Sequence, residues 1–323
     1  MKKVVLTHRL HEDGMKVLEG KINVAITNTG NPQEMLPELA DADGLIIRIG
    51  SIDRATMVAS KNLKVIGRPG VGVDDVDVAA ATELGIPVVI APGANTRSVA
   101  EHALGLIFAA AKDILHSDTQ TRGGDFAVRN SYKAFELWGK TLGLIGYGNI
   151  GRELARLCSA IGMKVIVHDP YLTREIIEQQ GYQYEKELNQ VLRNADVISL
   201  HVPLTAKTRN LIGEQEIQLM KSSAVLINCA RGGVVDEQAL AKALKNNAIH
   251  SAGLDVFASE PVKADNPWIG LDNIIITPHM AGLTKEAASG VATMAAEGVL
   301  AVIRGEKWPQ VANKEVYQHP KWK

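Results

Sequence analysis

Apolar and polar positions alternate along this chain in short blocks that read as strands followed by helices. Compact apolar runs mark strands at residues 3–6, 44–47, 64–66 and 87–90. Between them, residues 11–19, 32–40 and 76–84 carry the pattern of one-sided helices. Beyond residue 140 the alternation starts again. It predicts strands at 141–145, 164–168, 197–200, 224–228, 250–254 and 274–276, and helices near 151–159, 173–179, 185–193, 214–220 and 237–246. Repeated strand–helix–strand units build parallel sheets covered on both faces. Six strands with five connections make a complete doubly wound nucleotide domain.

Two longer helical segments flank that second series. Residues 98–116 are apolar on nearly every face, which calls for burial all round or for a second subunit. Residues 285–304 carry Val291, Met294, Ala295, Val299, Leu300 and Val302. Both read as crossings between domains. The expected division is therefore an outer domain of residues 1–98 and 286–323, and an inserted domain of residues 99–285. The tail after Gly305 is polar and lysine-rich and reads as a surface extension.

Composition narrows the function classes. The chain has 323 residues, 46% hydrophobic and 22% charged, with net charge −1. That balance gives no electrostatic pull toward nucleic acid or an anionic membrane. No apolar run approaches the roughly 20 residues of a membrane span; the longest candidate, 100–111, is interrupted by Glu101 and His102. The apolar residues after Met1 are too few for a signal peptide. Cys158 and Cys229 form no disulfide framework, and no Cys/His cluster has metal-ligand spacing. A cytoplasmic protein without a metal, nucleic-acid or membrane partner is expected.

The chemistry begins at Gly146-Tyr147-Gly148-Asn149-Ile150-Gly151, a G-x-G-x-x-G run between a predicted strand and a predicted helix. Gly146 permits the tight turn, Gly148 leaves room for a pyrophosphate, and Gly151 lets helix and strand pack closely. The helix N-terminus offers free N–H groups to the phosphates. Asp169 follows the second strand, 18 residues beyond Gly151. Its carboxylate suits the adenosine ribose hydroxyls and repels a 2′-phosphate, so NAD is expected over NADP. The fingerprint lies mid-chain, which supports an inserted nucleotide domain.

Three further segments extend the pattern: His201-Val202-Pro203-Leu204-Thr205, Asn228-Cys229-Ala230-Arg231-Gly232-Gly233 and Pro278-His279-Met280-Ala281-Gly282. Leu254-Asp255-Val256-Phe257-Ala258-Ser259-Glu260-Pro261 lies between the last two. With the fingerprint, these segments resemble the D-isomer-specific 2-hydroxyacid dehydrogenase family over nearly the whole chain. The resemblance implies two doubly wound α/β domains, a Rossmann nucleotide domain inserted into a flavodoxin-like outer one, and a homodimer. It implies hydride transfer between NAD and a small anionic 2-oxo or 2-hydroxy acid. The catalytic set carried over is Arg231, Glu260 and His279. His279 would donate the proton that the substrate oxygen needs, and Glu260 would orient the imidazole. Arg231 would bind the substrate carboxylate with its fork of N–H donors. Val202, Pro203, Thr208, Cys229, Ala230, Asp255 and Gly282 would add cofactor contacts, with Asp255 on the nicotinamide carboxamide.

The outer domain is expected to complete the substrate pocket. Arg48 follows an early strand, and the amides of Gly50 and Ser51 could form a small anion nest. Asn95-Thr96-Arg97-Ser98-Val99-Ala100-Glu101 resembles a segment of the phosphoglycerate dehydrogenase branch, and Arg48 suits a phosphate. The favoured pair is 3-phosphoglycerate and 3-phosphohydroxypyruvate, with hydroxypyruvate or glyoxylate reduction the alternative. Ile49-Gly50-Ser51 and Asp75 depart from that branch and keep the alternative open. A rival from another class is an NAD(H)-sensing corepressor-like binding protein. The sequence closes at Lys323, so the C-terminal regulatory domain of many relatives is not expected.

Overall fold

The computed structural model describes residues 1–323, which divide into two compact units: Met1–Asn95 with Leu283–Lys323, and Thr96–Gly282. Each boundary falls three residues before the expected one, the first where a helix begins.

In the first unit the strands are β1 (Lys3–Leu6), β2 (Asn23–Ile26), β3 (Gly44–Ile46), β4 (Val65–Gly67) and β5 (Val88–Val89). They form a parallel sheet ordered β2-β1-β3-β4-β5, the flavodoxin-like order. Val5, Leu45, Ile47, Ile66 and Val88 line one core, and Val4, Leu6, Ile46, Val65 and Val89 the other. Strands buried on both faces read as unbroken apolar runs, which is why most were visible in the sequence. Edge strand β2 was not: it starts on an exposed asparagine, and its other residues are only half-buried.

Two expectations about this unit are corrected. Helix Lys285–Ile303 has 19 residues and a mean hydropathy of 1.4, long and apolar enough to pass for a membrane span. Ser, Thr and Glu punctuate the segment, so it contains no continuous apolar run of that length. It packs on β3, β4 and helix Glu12–Leu18, as a core helix does. The tail is no surface extension either. Val311, Asn313 and Val316 are buried. Asn313 accepts the Val88 amide at 2.9 Å through Oδ1 and donates to the Ile86 carbonyl at 3.0 Å, which seals β5.

The second unit holds β6 (Thr141–Ile145), β7 (Lys164–His168), β8 (Gln183–Tyr184), β9 (Val197–Leu200), β10 (Val225–Asn228), β11 (Ser251–Leu254) and β12 (Ile274–Ile276). All are parallel, ordered β12-β11-β10-β9-β6-β7-β8. This is the doubly wound nucleotide-binding order with one further strand beside β11. β8, only two residues long, was not anticipated. The winding reverses at β6, so the crevice for a ligand opens where β6 and β9 end.

The expected helix over 98–116 is two helices, Thr96–Ala111 and Ile114–Arg122. Asp113 adopts a left-handed φ of 50° and breaks the ladder between them. Nor is the first helix buried all round. Val99, Ala103, Leu106, Ile107 and Ala110 face the core, whereas Glu101 and Gly105 face outward.

Candidate active site

The fingerprint turn joins β6 to helix Asn149–Ala160, with Gly148 at its N-cap. Gly146 has φ 93°, and a Cβ on Gly151 would stand 2.5 Å from the Gly146 carbonyl oxygen. A Cβ on Gly148 would meet nothing within 4 Å, so this backbone faces open space. Asn149 begins the helix exposed, and Ile150 packs inward against the core. An unobstructed helix N-terminus of this kind fits a pyrophosphate.

Asp169 follows β7 and is half-buried. Its Oδ2 accepts the Tyr147 amide and its Oδ1 the Tyr171 amide, each at 2.9 Å. The carboxylate thus ties the glycine turn to the end of β7, and each oxygen keeps a further acceptor site. Beyond β9, Val202 packs against the core. The Thr208 hydroxyl donates to the Pro203 carbonyl at 2.6 Å and accepts the Thr205 amide at 2.7 Å, so it closes this turn internally.

Arg231, Glu260 and His279 emerge beyond the carboxyl ends of three neighbouring strands, β10, β11 and β12. Buried Asn228 shapes the first turn: its Oδ1 accepts the Ala230 amide at 3.0 Å, and its Nδ2 donates to the Arg231 carbonyl at 2.9 Å. Cys229 is buried in that turn, and Ala230 half-buried. Burial and the charge of Asp255 push the Cys229 thiol far up. Gly232 touches the next loop, because a Cβ there would overlap the Phe257 carbonyl. In that loop Glu260 Oε1 accepts the Phe257 amide at 3.0 Å, and Glu237 accepts the Ala258 amide at 2.6 Å. Burial holds the Glu237 carboxyl above its usual range, and the charge of Glu260 adds to that. Glu260 Oε2 lies 2.8 Å from His279 Nδ1.

His279 has a left-handed φ of 52°. Asp255, 1% exposed, braces the residues after it: Oδ1 accepts the Met280 amide at 2.9 Å and Oδ2 the Ala281 amide at 2.8 Å. Gly282, half-buried, closes the loop and the unit. Asn228, Thr277 and His102 were not singled out in the sequence. A polar residue ending an apolar strand was the available signal for the first two. His102 stands out in the sequence only as an interruption of an apolar run.

In the first unit Arg48 is exposed, just after β3. Its carbonyl accepts from Arg68 Nη1 at 3.0 Å, and Arg68 also donates to the Ile47 and Gly72 carbonyls. The expected nest is corrected: the Ser51 amide donates to the Gly30 carbonyl at 3.1 Å and is already engaged, beside a Gly50 backbone packed on Gly30.

A glycine turn at the switch point of a doubly wound parallel sheet defines a dinucleotide-binding α/β protein. Residues 104–281 match the NAD binding domain of D-isomer specific 2-hydroxyacid dehydrogenases. The chain is 46% identical to a D-3-phosphoglycerate dehydrogenase of Methanocaldococcus jannaschii, with 97% of this chain and 60% of that protein covered. It is 36% identical to a glyoxylate reductase of Aeropyrum pernix, covering 97% and 96% of the two. A crystal structure of a glyoxylate reductase from Paecilomyes thermophila superposes with a TM-score of 0.87 at 29% identity, covering 97% of this chain and 99% of that one. The chain belongs to the D-isomer-specific 2-hydroxyacid dehydrogenase family. It spans about three fifths of the length of the Methanocaldococcus relative.

Proposed function

We propose that the protein is an NAD-dependent D-2-hydroxyacid dehydrogenase. The observation that carries this reading is the His279–Glu260 pair, 2.8 Å apart on the loops that follow neighbouring strands of an NAD-binding sheet. A bound nicotinamide ring supplies or accepts the hydride. The chain's own residues supply the rest. Glu260 engages Nδ1 and fixes the imidazole tautomer, leaving Nε2 to exchange a proton with the substrate oxygen. Arg231 binds the substrate carboxylate and polarises the adjacent carbonyl. Gly146, Gly148, Asn149, Ile150 and Gly151 form the pyrophosphate turn, and Asp169 takes the ribose hydroxyls. Val202 and Pro203 border the adenosine side; Cys229, Ala230, Asp255 and Gly282 border the nicotinamide. Thr208 contributes by holding its turn, since its hydroxyl is engaged there.

The favoured substrate pair is 3-phosphoglycerate and 3-phosphohydroxypyruvate, with Arg48 as the phosphate contact and Gly50 and Ser51 beside it. Its support is an exposed Arg48, locked at its backbone by Arg68, and the likeness to the Methanocaldococcus protein. Reduction of hydroxypyruvate or glyoxylate is the second reading, favoured by the Aeropyrum relative matched over 96% of its length. Steady-state rates with NADH on the three 2-oxo acids decide. The phosphorylated substrate should have the highest kcat/KM, and Arg48→Leu should erase that preference. A phosphorylated substrate no better than hydroxypyruvate overturns the first choice. No turnover of any 2-oxo acid overturns the dehydrogenase reading.

We also place the protein in the cytoplasm as a homodimer. Two buried, unpaired cysteines suit a reducing compartment. Around helix Ile114–Arg122 and the segment after it, Ile114, Leu115, Phe126, Tyr132 and Trp138 are 49–87% exposed. Apolar exposure on that scale suits a second copy of the chain. Sedimentation velocity would show a dimer that Phe126→Asp with Leu115→Asp dissociates.

A further inference from the structure

The imidazole of His279 is not fixed by packing, since its side chain is 52% exposed. Its position depends on the backbone of residues 277–281, and that backbone passes through a left-handed residue that is not glycine. Asp255 holds the far side of this bend through the Met280 and Ala281 amides. A third group also reaches Asp255. The Thr277 hydroxyl donates to Oδ1 at 2.6 Å.

A threonine hydroxyl has one proton to give, and Asp255 as a carboxylate can only accept. The Thr277 oxygen must therefore accept from its other neighbour, His102 Nε2, at 3.0 Å. This fixes the proton of His102 on Nε2. The same nitrogen lies 3.6 Å from Asp255 Oδ1, which places a basic ring beside a carboxylate that is 1% exposed. Four residues earlier on the same helix, Ser98 Oγ donates to the Ala281 carbonyl at 2.5 Å. Helix Thr96–Ala111 thus grips the His279 loop at both ends, through residues one turn apart.

We infer that His102 and Thr277 are positioning residues for His279, acting through Asp255: the chain from His102 Nε2–H to the Thr277 hydroxyl to the carboxylate holds the bend that presents the imidazole. The inference rests on the dehydrogenase reading for its catalytic consequence. The tether itself does not.

The test uses Thr277→Val, which removes the hydroxyl at nearly constant shape, and His102→Leu. Thr277→Ser and His102→Gln keep a donor of similar reach. Hydrogen exchange at the Met280 and Ala281 amides is read first, without substrate. It should quicken about tenfold in the Val and Leu variants and stay near wild type in the Ser and Gln variants. With NADH and hydroxypyruvate, kcat should fall about tenfold or more in the first two, while both KM values change less than about threefold. The conservative variants should recover most of kcat. The Val/Leu double variant should be no slower than the worse single, as expected of groups acting in series. Unchanged exchange in Thr277→Val overturns the tether. Losses confined to KM, or multiplying in the double variant, overturn the positioning role. A wild-type protein that turns over no 2-oxo acid refutes the dehydrogenase reading alone, and exchange still decides the tether.

Discussion

Glu260 is held on both oxygens: Oε1 accepts the Phe257 amide at 3.0 Å while Oε2 meets His279 Nδ1 at 2.8 Å. The first bond holds the carboxylate in place independently of the ring. Both side chains are substantially exposed, 36% and 52%, and such pairs add little to stability. Their proposed contribution is to chemistry. His279→Ala should therefore lower kcat by about 10²–10⁴ with little change in Tm. NADH binding, followed by fluorescence titration, should persist. Glu260→Gln should also lower kcat, by a smaller factor than His279→Ala. Full activity in the alanine variant would remove His279 from the proton transfer.

Asp169 bridges the Tyr147 and Tyr171 amides, so it has a structural duty besides its proposed contact with the ribose. Asp169→Ala should raise the KM for NADH and relax discrimination against NADPH, because the repulsion of a 2′-phosphate is gone. Asp169→Asn should keep more of the NADH affinity, since an amide oxygen can still accept one of those N–H bonds. The ratio of kcat/KM values for the two cofactors measures this. A ratio unchanged in the alanine variant would take Asp169 out of cofactor selection.

What the sequence disclosed follows burial. Strands such as β9 and β10, buried at every residue, read as apolar runs and were placed to within a residue. Strand β8 has one exposed and one half-buried residue and left no signal. Arg231, Glu260 and His279 stand out only through the resemblance of the segments that carry them to a known family. His102 and Thr277 left no such signal, because the two lie 175 residues apart along the chain. Only the register of β11 beside β12, with the helix laid against them, brings the two together. The break at Asp113 was hidden for a different reason: the apolar pattern continues across it through Ile114 and Leu115, which face outward.

Gly148 and Gly232 differ in what surrounds them, and alanine at each should fail differently. At Gly232 a Cβ would overlap the Phe257 carbonyl, so the Arg231 turn or the Glu260 loop must move. Overpacking of this kind costs about 1–3 kcal/mol, and displacing the site should depress kcat as well. At Gly148 the new Cβ would point into open space. Gly148→Ala should leave the urea midpoint close to wild type and instead weaken NADH binding, because the methyl group enters the region assigned to the pyrophosphate. Equal destabilisation at the two positions would contradict this distinction.

His201 makes stability depend on pH. Burial pushes its imidazole down to about 4. Its Nε2 meets Ser199 Oγ at 2.9 Å, and its Nδ1 is buried without a partner. Above pH 7 the ring is neutral in both the folded and the unfolded chain, and the shift has no effect. As pH falls below about 6.5 the unfolded chain takes up the proton first, so stability is lost until the folded ring titrates as well. The loss between pH 6.5 and pH 4 is at most about 3 kcal/mol. His250 is lowered too, again by burial, and acts in the same direction, so a variant is needed to isolate His201. Urea unfolding of the wild type and of His201→Gln should be compared at pH 7 and pH 4.5. The wild type should lose about 2 kcal/mol more than the variant across that interval. Parallel losses would show that the ring charges in the folded state as readily as in the unfolded one.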